Sequence, residues 1–167
     1  WIGIEQPQAR LSMPLPDSVA QRAGFQGRER VLAVAFDNET SVEVTSFDDF
    51  RWWLTRAAIA HSNLKVELQQ DDGLLVSRTL ELASMELSNT DSTLFRTIGL
   101  VSPYSPAQLG DVIIDGAAAK AGLIAGDVIL SVDGLRIVDA NQLRDHIRNS
   151  GRNGLIAPQN WLVKRAT

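Results

Sequence analysis

One block of sequence occurs twice in this chain, and the repeat limits the possible folds more than any other feature. The second copy reads KAGLIAGDVILSVDG from Lys120 to Gly134. Gly122 ends a short alanine-rich helix, because glycine adopts the left-handed conformation that closes a helix without a Cβ clash. Val128–Val132 is apolar and β-branched enough for a buried strand, and Asp133-Gly134 is a strong turn signal. The block therefore predicts a short helix, a turn, a buried strand and a second turn.

The first copy begins at Ala23-Gly24-Phe25 and reaches its strand at Arg30–Val34. The copies share their helix-ending glycines, their apolar strand residues and two flanking segments. The matched pairs are Gly24 with Gly122, Leu32 with Leu130, Val34 with Val132, Ile2-Gly3-Ile4 with Ile98-Gly99-Leu100, Phe50 with Leu143, and Leu54 with Ile147. Because these blocks keep their order with small changes in spacing, we interpret them as an internal duplication. The 167 residues would then form two small domains, although the length alone favours one.

The repeat and the segments around it also predict the domain boundaries and the remaining elements. We expect a first domain over 1–83, a linker over 84–95 and a second domain over 96–167. A helix over 45–60 has apolar residues at helical spacing, and alternating apolar residues over 63–82 predict a β-hairpin. Trp161–Arg165 is typical of the first strand of the corresponding second hairpin. We expect the partner strand, and hence the end of the second domain, to be missing.

The order of helix, glycine, turn, strand and turn resembles the central block of a PDZ domain of the bacterial, protease-associated kind. PDZ domains hold the terminal carboxylate of a peptide on a loop with the pattern Φ-Gly-Φ, where Φ is apolar and the glycine lets backbone N–H groups approach the ligand. Ile2-Gly3-Ile4 and Ile98-Gly99-Leu100 carry this pattern. The resemblance implies an α+β fold, mostly β, with two PDZ-like domains in tandem. Each would be a small, partly open antiparallel barrel capped by two helices.

The resemblance also implies a peptide-binding groove in each domain, between the Φ-Gly-Φ segment and the second helix. A peptide would add as a strand beside that segment, with its last apolar side chain against the helix. The candidate peptide-binding residues are Ile2, Gly3, Ile4, Phe50, Trp53 and Leu54 in the first domain, and Ile98, Gly99, Leu100, Val101, Leu143, His146 and Ile147 in the second. Two alternatives stay open: helix residues such as Leu54 are simply core, and His146 is an ordinary surface histidine.

Composition argues against several classes of function for this chain. Lys and Arg number 16 against 20 Asp and Glu, and a net charge of −4 disfavours binding to nucleic acids or anionic membranes. There are no cysteines, and the two histidines, His61 and His146, belong to no HExxH or similar metal-binding spacing. No GxSxG nucleophile turn occurs, and no apolar run approaches the ~18 residues of a membrane span. We therefore predict no catalytic residue, metal, cofactor or membrane insertion within this chain.

Tandem PDZ-like domains, an acidic composition, a short linker and the basic strand end Lys164-Arg165 resemble the periplasmic region of the site-2 protease family. These are intramembrane zinc metalloproteases related to the regulator of sigma-E protease. The resemblance implies a parent hydrolase that holds zinc in its membrane-embedded domain. This chain would be the regulatory part of that inner-membrane protein and would lie in the periplasm. The implied partners are that protease domain and a polypeptide substrate such as an anti-sigma factor.

The resemblance further implies that the chain admits only substrates already trimmed by an earlier cut. It leaves open whether the chain binds a newly formed C-terminus or blocks bulky substrates sterically. Two other classes of protein also fit the sequence: the PDZ arm of an HtrA-type serine protease or chaperone, and a non-enzymatic peptide-binding scaffold. Sequence beyond Trp1 and Thr167 would distinguish them, because each class has a different neighbouring domain.

Overall fold

The structure, a computed structural model, describes residues 8–86, 91–152 and 158–166. The chain forms two compact units, Trp1–Tyr104 and Ser105–Thr167. The first unit contains α1 (Val19–Arg22), β1 (Arg30–Phe36), β2 (Val42–Glu43), α2 (Phe47–Ile59), β3 (Leu64–Gln69), β4 (Leu75–Leu80) and α3 (Asp91–Ile98). Its strands form one antiparallel sheet in the order β2-β1-β3-β4. The hairpin predicted over 63–82 is present as β3 and β4.

Local sequence explains where the elements of the first unit begin and turn. The Ser46 hydroxyl accepts a hydrogen bond from the Asp49 N–H at 3.1 Å and caps the start of α2. Gly73 takes a φ of +87° in the turn between β3 and β4, a conformation that glycine adopts without strain. Along β3 the buried residues alternate with more exposed ones, so one face of the sheet packs into the core.

The second unit is smaller and repeats part of the same order. It contains α4 (Ala117–Lys120), β5 (Val128–Val132), β6 (Leu135–Arg136), α5 (Ala140–Arg152) and β7 (Trp161–Lys164). Its strands form an antiparallel sheet in the order β6-β5-β7. The buried cluster of this unit consists of Ala107, Ile129, Val132, Ile137 and Leu143. The strand predicted over Val128–Val132 has those bounds in the structure.

The two units share a backbone framework. In each, a short helix is followed by two strands, a long helix and a third strand. The antiparallel bridge between Arg10 and Arg30 has its equivalent 98 residues later between Gln108 and Val128. β1 and β5 also carry a shift of register at equivalent points of their pairing with β3 and β7. The duplication seen in the sequence is therefore also present in the backbone hydrogen bonds.

The secondary-structure content differs from the expectation of a mostly β fold. Among the described residues, the helices include more residues than the strands, so the fold is mixed α/β with antiparallel sheets. The long helices α2 and α5 account for much of the difference, since β2 and β6 are only two residues each. The prediction of mostly β structure is therefore wrong, whereas that of antiparallel sheets with helices is confirmed.

The division into units also differs from the predicted boundaries. The predicted linker over 84–95 and second domain over 96–167 would separate α3 from the first unit. The structure divides the chain after Tyr104, because side chains of α3 and the residues after it are buried in the first core. These side chains are Leu94, Phe95, Ile98 and Leu100.

Candidate functional site

The Φ-Gly-Φ segment Ile98-Gly99-Leu100 lies at the C-terminal end of the first unit. Gly99 follows α3 with a φ of +93°, and its N–H donates to the Phe95 carbonyl at 2.7 Å. The Gly99 carbonyl accepts a hydrogen bond from the Leu15 N–H at 3.0 Å. Ile98 and Leu100 on either side are fully buried. The backbone groups of this glycine are therefore engaged within the unit.

Glycine is required at position 99 by packing as well as by backbone conformation. A Cβ built on Gly99 would overlap the side chain of Ser18. Ser18 cannot easily move aside, because its hydroxyl caps α1 by accepting from the Gln21 N–H at 3.2 Å. The close approach that we predicted for a peptide carboxylate is thus made, in this structure, by the N-terminal end of α1.

The helix wall predicted for the first groove is α2, and most of it is covered. Phe50 and Leu54 are fully buried in the core. The Trp53 ring is half-buried and contacts the rings of Phe36 and Trp52, with centroid distances of 5.9 and 4.8 Å. Side chains of α3 share the core with Phe50 and Leu54, so the predicted space for a ligand side chain is filled by the unit itself.

The candidate residues predicted for the second groove do not lie in one unit. Ile98, Gly99, Leu100 and the half-buried Val101 belong to the first unit. In the second unit, Leu143 is buried in the core, and the half-buried His146 ring has Nε2 3.3 Å from the Gln159 side-chain nitrogen. Ile147 is 47% exposed. Their role in peptide binding stays a prediction, as does that of Ile2, Gly3 and Ile4, which lie outside the described residues.

The second unit has a cleft of about 1010 Å³ beside Ile147. Its walls are α4, the C-terminal half of α5 and one face of β7. The apolar lining includes Ala118, Leu123, Ile147, Trp161 and Val163, and we call these five residues the open face. The open face is the counterpart, in the repeat, of surfaces that the first unit buries.

Sequence reasoning missed an ion pair that joins β7 to the turn before β5. Asp127 is fully buried, and its two carboxylate oxygens each lie 2.7 Å from a nitrogen of the Arg165 guanidinium. Arg165 also donates to the Gly122 carbonyl at 2.9 Å. These hydrogen bonds from Arg165 are the main reason that the pKa of Asp127 falls from 3.8 to about 2. The signal in the sequence was the Gly-Asp turn followed, much later, by a basic strand end.

Among the described residues, no group of three or more His, Cys, Asp or Glu side chains is arranged to hold a metal ion. Within the same residues, no helix is both long and apolar enough to cross a bilayer.

Comparison with known proteins places these observations in a family context. Residues 108–154 match the model of the PDZ domain family. A protein of Ralstonia nicotianae named "putative zinc metalloprotease" is 29% identical over 150 residues, which cover 89% of this chain and 31% of that protein. A protein of the same name from Xylella fastidiosa strain Temecula1 is 24% identical over 140 residues, or 83% of this chain and 30% of that protein. The chain thus spans under a third of the length of these relatives.

The second unit therefore includes a segment similar to the PDZ domain family, and the chain is similar to a region of bacterial proteins named as zinc metalloproteases. The resemblance stated from the sequence is confirmed at this level. Zinc is implied for the relatives by their name, whereas the described residues of this chain offer it no ligand cluster.

Proposed function

We propose that this chain is a tandem PDZ region that screens polypeptide substrates for a site-2 zinc metalloprotease. The observation that carries the proposal is the PDZ domain at 108–154 within a chain that is similar, over 89% of its length, to a zinc metalloprotease relative. The first unit is the other PDZ-like domain of the tandem, since it shares the backbone framework of the second unit. The proposed location is the periplasmic region of an inner-membrane protein, next to the membrane-embedded protease domain.

The sequence leaves two modes of screening open: capture of a substrate's C-terminus and exclusion of bulky substrates by size. The contacts within the first unit favour exclusion by size. Capture of a peptide C-terminus needs free loop N–H groups and an empty apolar space beside α2. In the first unit the Gly99 N–H bonds to Phe95, and Phe50 and Leu54 are fully buried. A folded unit without an empty groove still excludes bulky substrates through its volume. A substrate already trimmed by an earlier cut, such as an anti-sigma factor, would then be admitted.

The test is a cleavage assay with the full-length protease and a variant that lacks this region. One single-span substrate carries a folded domain outside the membrane, and its matched control lacks that domain. We expect deletion of the region to raise cleavage of the bulky substrate at least about tenfold and to leave cleavage of the trimmed substrate unchanged, because only the bulky one is blocked. Equal cleavage of the bulky substrate by both proteases would contradict the proposal.

Capture of a C-terminus is the second mode, and a titration separates it from exclusion. A peptide with an apolar last residue and a free carboxylate is compared with its amide by fluorescence anisotropy. A charged hydrogen bond contributes about 1.5–3 kcal/mol, so capture predicts at least about tenfold tighter binding of the acid. Exclusion predicts no difference between acid and amide. A clear preference for the acid would replace exclusion with capture.

The other classes of protein that fit the sequence receive less support. An HtrA-type arm would belong to a serine protease, and a scaffold to no enzyme, whereas the relatives described above are named as metalloproteases.

A further inference from the structure

Helix α2, which lies between β2 and β3 in the first unit, has an outer face that the core leaves uncovered. Trp52 is 53% exposed and Ile59 is 65% exposed, whereas Phe50 and Leu54 on the inner side are fully buried. Trp52 and Ile59 are seven residues apart, so they lie within about 20° of each other around the helix axis. Large apolar side chains on the outer side of α2 are therefore in contact with solvent.

Two exposed charges flank Trp52 on the same side of the helix. Asp48 lies four residues before Trp52, and Arg56 lies four residues after it, which is one helical turn in each direction. We call Asp48, Trp52, Arg56 and Ile59 the outer face of α2. Asp48 and Arg56 lie about 12 Å apart along the helix and form no ion pair with each other.

The carboxylate of Asp48 is not used within the unit. The neighbouring Asp49 carboxylate accepts a hydrogen bond from the Thr45 N–H at 3.0 Å, at the start of the helix. Among the described residues, the Asp48 carboxylate has neither a hydrogen-bond donor nor a cation beside it. An ionised carboxylate is an acceptor with two oxygens, so Asp48 is free to accept from another molecule.

The Arg56 side chain lies over the aromatic rings beside this face. Its guanidinium carbon is 5.3 Å from the centre of the Trp52 ring, 5.6 Å from that of Trp53 and 5.9 Å from that of Phe36. These contacts hold the cation in place, but a guanidinium also has five N–H donors. Among the described residues, these donors have no carboxylate or carbonyl acceptor. The outer face thus combines a cation without an acceptor and an acceptor without a cation.

The order of these groups along α2 is complementary to itself. Consider two α2 helices that pack antiparallel about a two-fold axis at Trp52. The residue four positions before Trp52 in one copy then lies opposite the residue four positions after Trp52 in the other copy. Each Asp48 carboxylate faces the Arg56 guanidinium of the other copy, and the exposed surface of Trp52 packs on its equivalent. Both charges of each copy gain a partner at once.

We propose that the outer face of α2 binds a second copy of this chain in a symmetric dimer with Trp52 at its centre. A buried tryptophan at the centre of an interface and charge pairs at its rim are the usual arrangement of protein–protein contacts. One helix face is smaller than a standard interface, so we expect a weak dimer with a dissociation constant between about 10 µM and about 1 mM.

A surface of anionic lipid fits the outer face less well than a second copy does. Asp48 would meet the lipid phosphates together with Arg56, and two further exposed acids, Asp37 and Glu39, follow Phe36 in the turn after β1. Like charges repel, and the chain as a whole has a net charge of −4. The pairing of one acid with one base is explained by a second copy and not by a surface of one sign.

The first test is sedimentation equilibrium of the 167-residue chain at concentrations from about 10 µM to about 1 mM. We expect the unaltered chain to dimerise. Asp48→Arg and Arg56→Asp should each raise the dissociation constant at least about tenfold, because like charges then face each other across the axis. Glu81→Arg is the matched control, since it changes an exposed residue of the same unit by the same charge and should preserve the dimer.

A chain that stays monomeric over this range would overturn the proposal. Single variants at positions 48 and 56 that dimerise as strongly as the unaltered chain would overturn it as well, because the association would then involve another surface.

Mixing the two single variants makes the test specific to this face. In a mixture of Asp48→Arg and Arg56→Asp, one copy has a cation at both positions and the other has an anion at both. Both pairs can then form between unlike copies. We expect the mixture to associate at least about tenfold more strongly than either variant alone, and the double variant to dimerise like the unaltered chain. Absence of any gain on mixing would contradict the antiparallel arrangement.

Sedimentation with phosphatidylglycerol vesicles tests the lipid alternative. We expect no difference in vesicle binding between the unaltered chain and Trp52→Ser. Vesicle binding that Trp52→Ser abolishes would assign the face to a lipid surface and overturn the proposal. No protease or substrate takes part in these experiments, so their outcome is independent of the proposed screening function.

Discussion

Residue 127 has a buried carboxylate that is paired with a single arginine side chain. Asp127 is fully buried and bonds to both nitrogens of Arg165 that face it, at 2.7 Å each. Its equivalent in the first unit is Glu29, which accepts from the Gln26 N–H as Asp127 accepts from the Ile124 N–H. The second oxygen of Glu29 has no hydrogen-bond partner among the described residues. The two copies therefore keep the same turn, and in each an ion pair links it to the residues just after the equivalent strand: Asp127 with Arg165 in the second copy, and Arg28 with Asp71 at 3.6 Å in the first.

The ion pair predicts a stability that depends on pH in a defined window. The pKa of Asp127 is about 2 in the folded chain, against an ordinary value of 3.8. Because the folded pKa is the lower one, the pair stabilises the second unit fully above about pH 4, and this stabilisation is lost as the pH falls from about 4 towards 2. Urea unfolding, followed through the NMR signal of the Trp161 indole, measures the effect.

An Arg165→Met variant is the control for this prediction. Other carboxylates titrate alike in both proteins, so the difference between them isolates Asp127. We expect the difference in unfolding midpoint to be constant above pH 4 and to shrink below it. A difference that stays constant down to pH 2 would contradict the ion-pair interpretation.

Among the described helices, α3 is the one that the sequence did not reveal. Helix α2 was predictable because a serine cap precedes a long apolar stripe, and β5 because its β-branched run lies between two glycine turns. The stretch before Ile98 was interpreted as a linker because of its many polar residues. Leu94, Phe95 and Ile98 do have helical spacing, but three apolar residues over five positions are too few to predict a helix unaided. Only the packing on α1 and α2 makes this segment part of a core.

Helix α3 should therefore be essential to the first unit. Phe95 is 7% exposed and lies in the core, whereas its neighbour Arg96 is exposed. Replacing a buried phenylalanine by alanine costs about 3–5 kcal/mol, because apolar contacts are lost and a cavity remains. We expect Phe95→Ala to lower the unfolding free energy of the first unit by that amount and Arg96→Ala to change it by less than about 0.5 kcal/mol.

Chemical denaturation with β3 amide exchange as the readout distinguishes these two variants. Similar unfolding free energies for both would show that the 84–95 stretch is a linker after all.

For the whole molecule, the sequence predicted the duplication but not the point of division. Matching glycines and strands identify equivalent residues, and the backbone bridges agree with that register. The Φ-Gly-Φ sequence was assigned to the unit that follows it, since in both copies it precedes the block. Which unit a segment packs against depends on long-range contacts, such as the bond from Leu15 to Gly99, and these leave no periodic signal in sequence.

Substitutions at equivalent residues should destabilise the two units by different amounts. Leu54 is fully buried in the first unit, whereas its equivalent Ile147 is 47% exposed in the second. We expect Leu54→Ala to cost about 2–5 kcal/mol, because the first unit keeps the resulting cavity. Ile147→Ala should cost less than about 1 kcal/mol in the 167-residue chain, because its side chain is already in contact with water.

Differential scanning calorimetry of the two variants measures these effects, with the unaffected unit as the reference in each case. Equal shifts of the unfolding transitions would show that the second core is as closed as the first.

The bond between Leu15 and Gly99 has a practical consequence for anyone who separates the halves of this protein. A protease site or stop codon placed in the polar stretch near residue 84 would separate five of the 23 described core residues from the first unit and leave an exposed, aggregation-prone apolar surface. The junction between Tyr104 and Ser105 is the position at which a clean separation is to be sought.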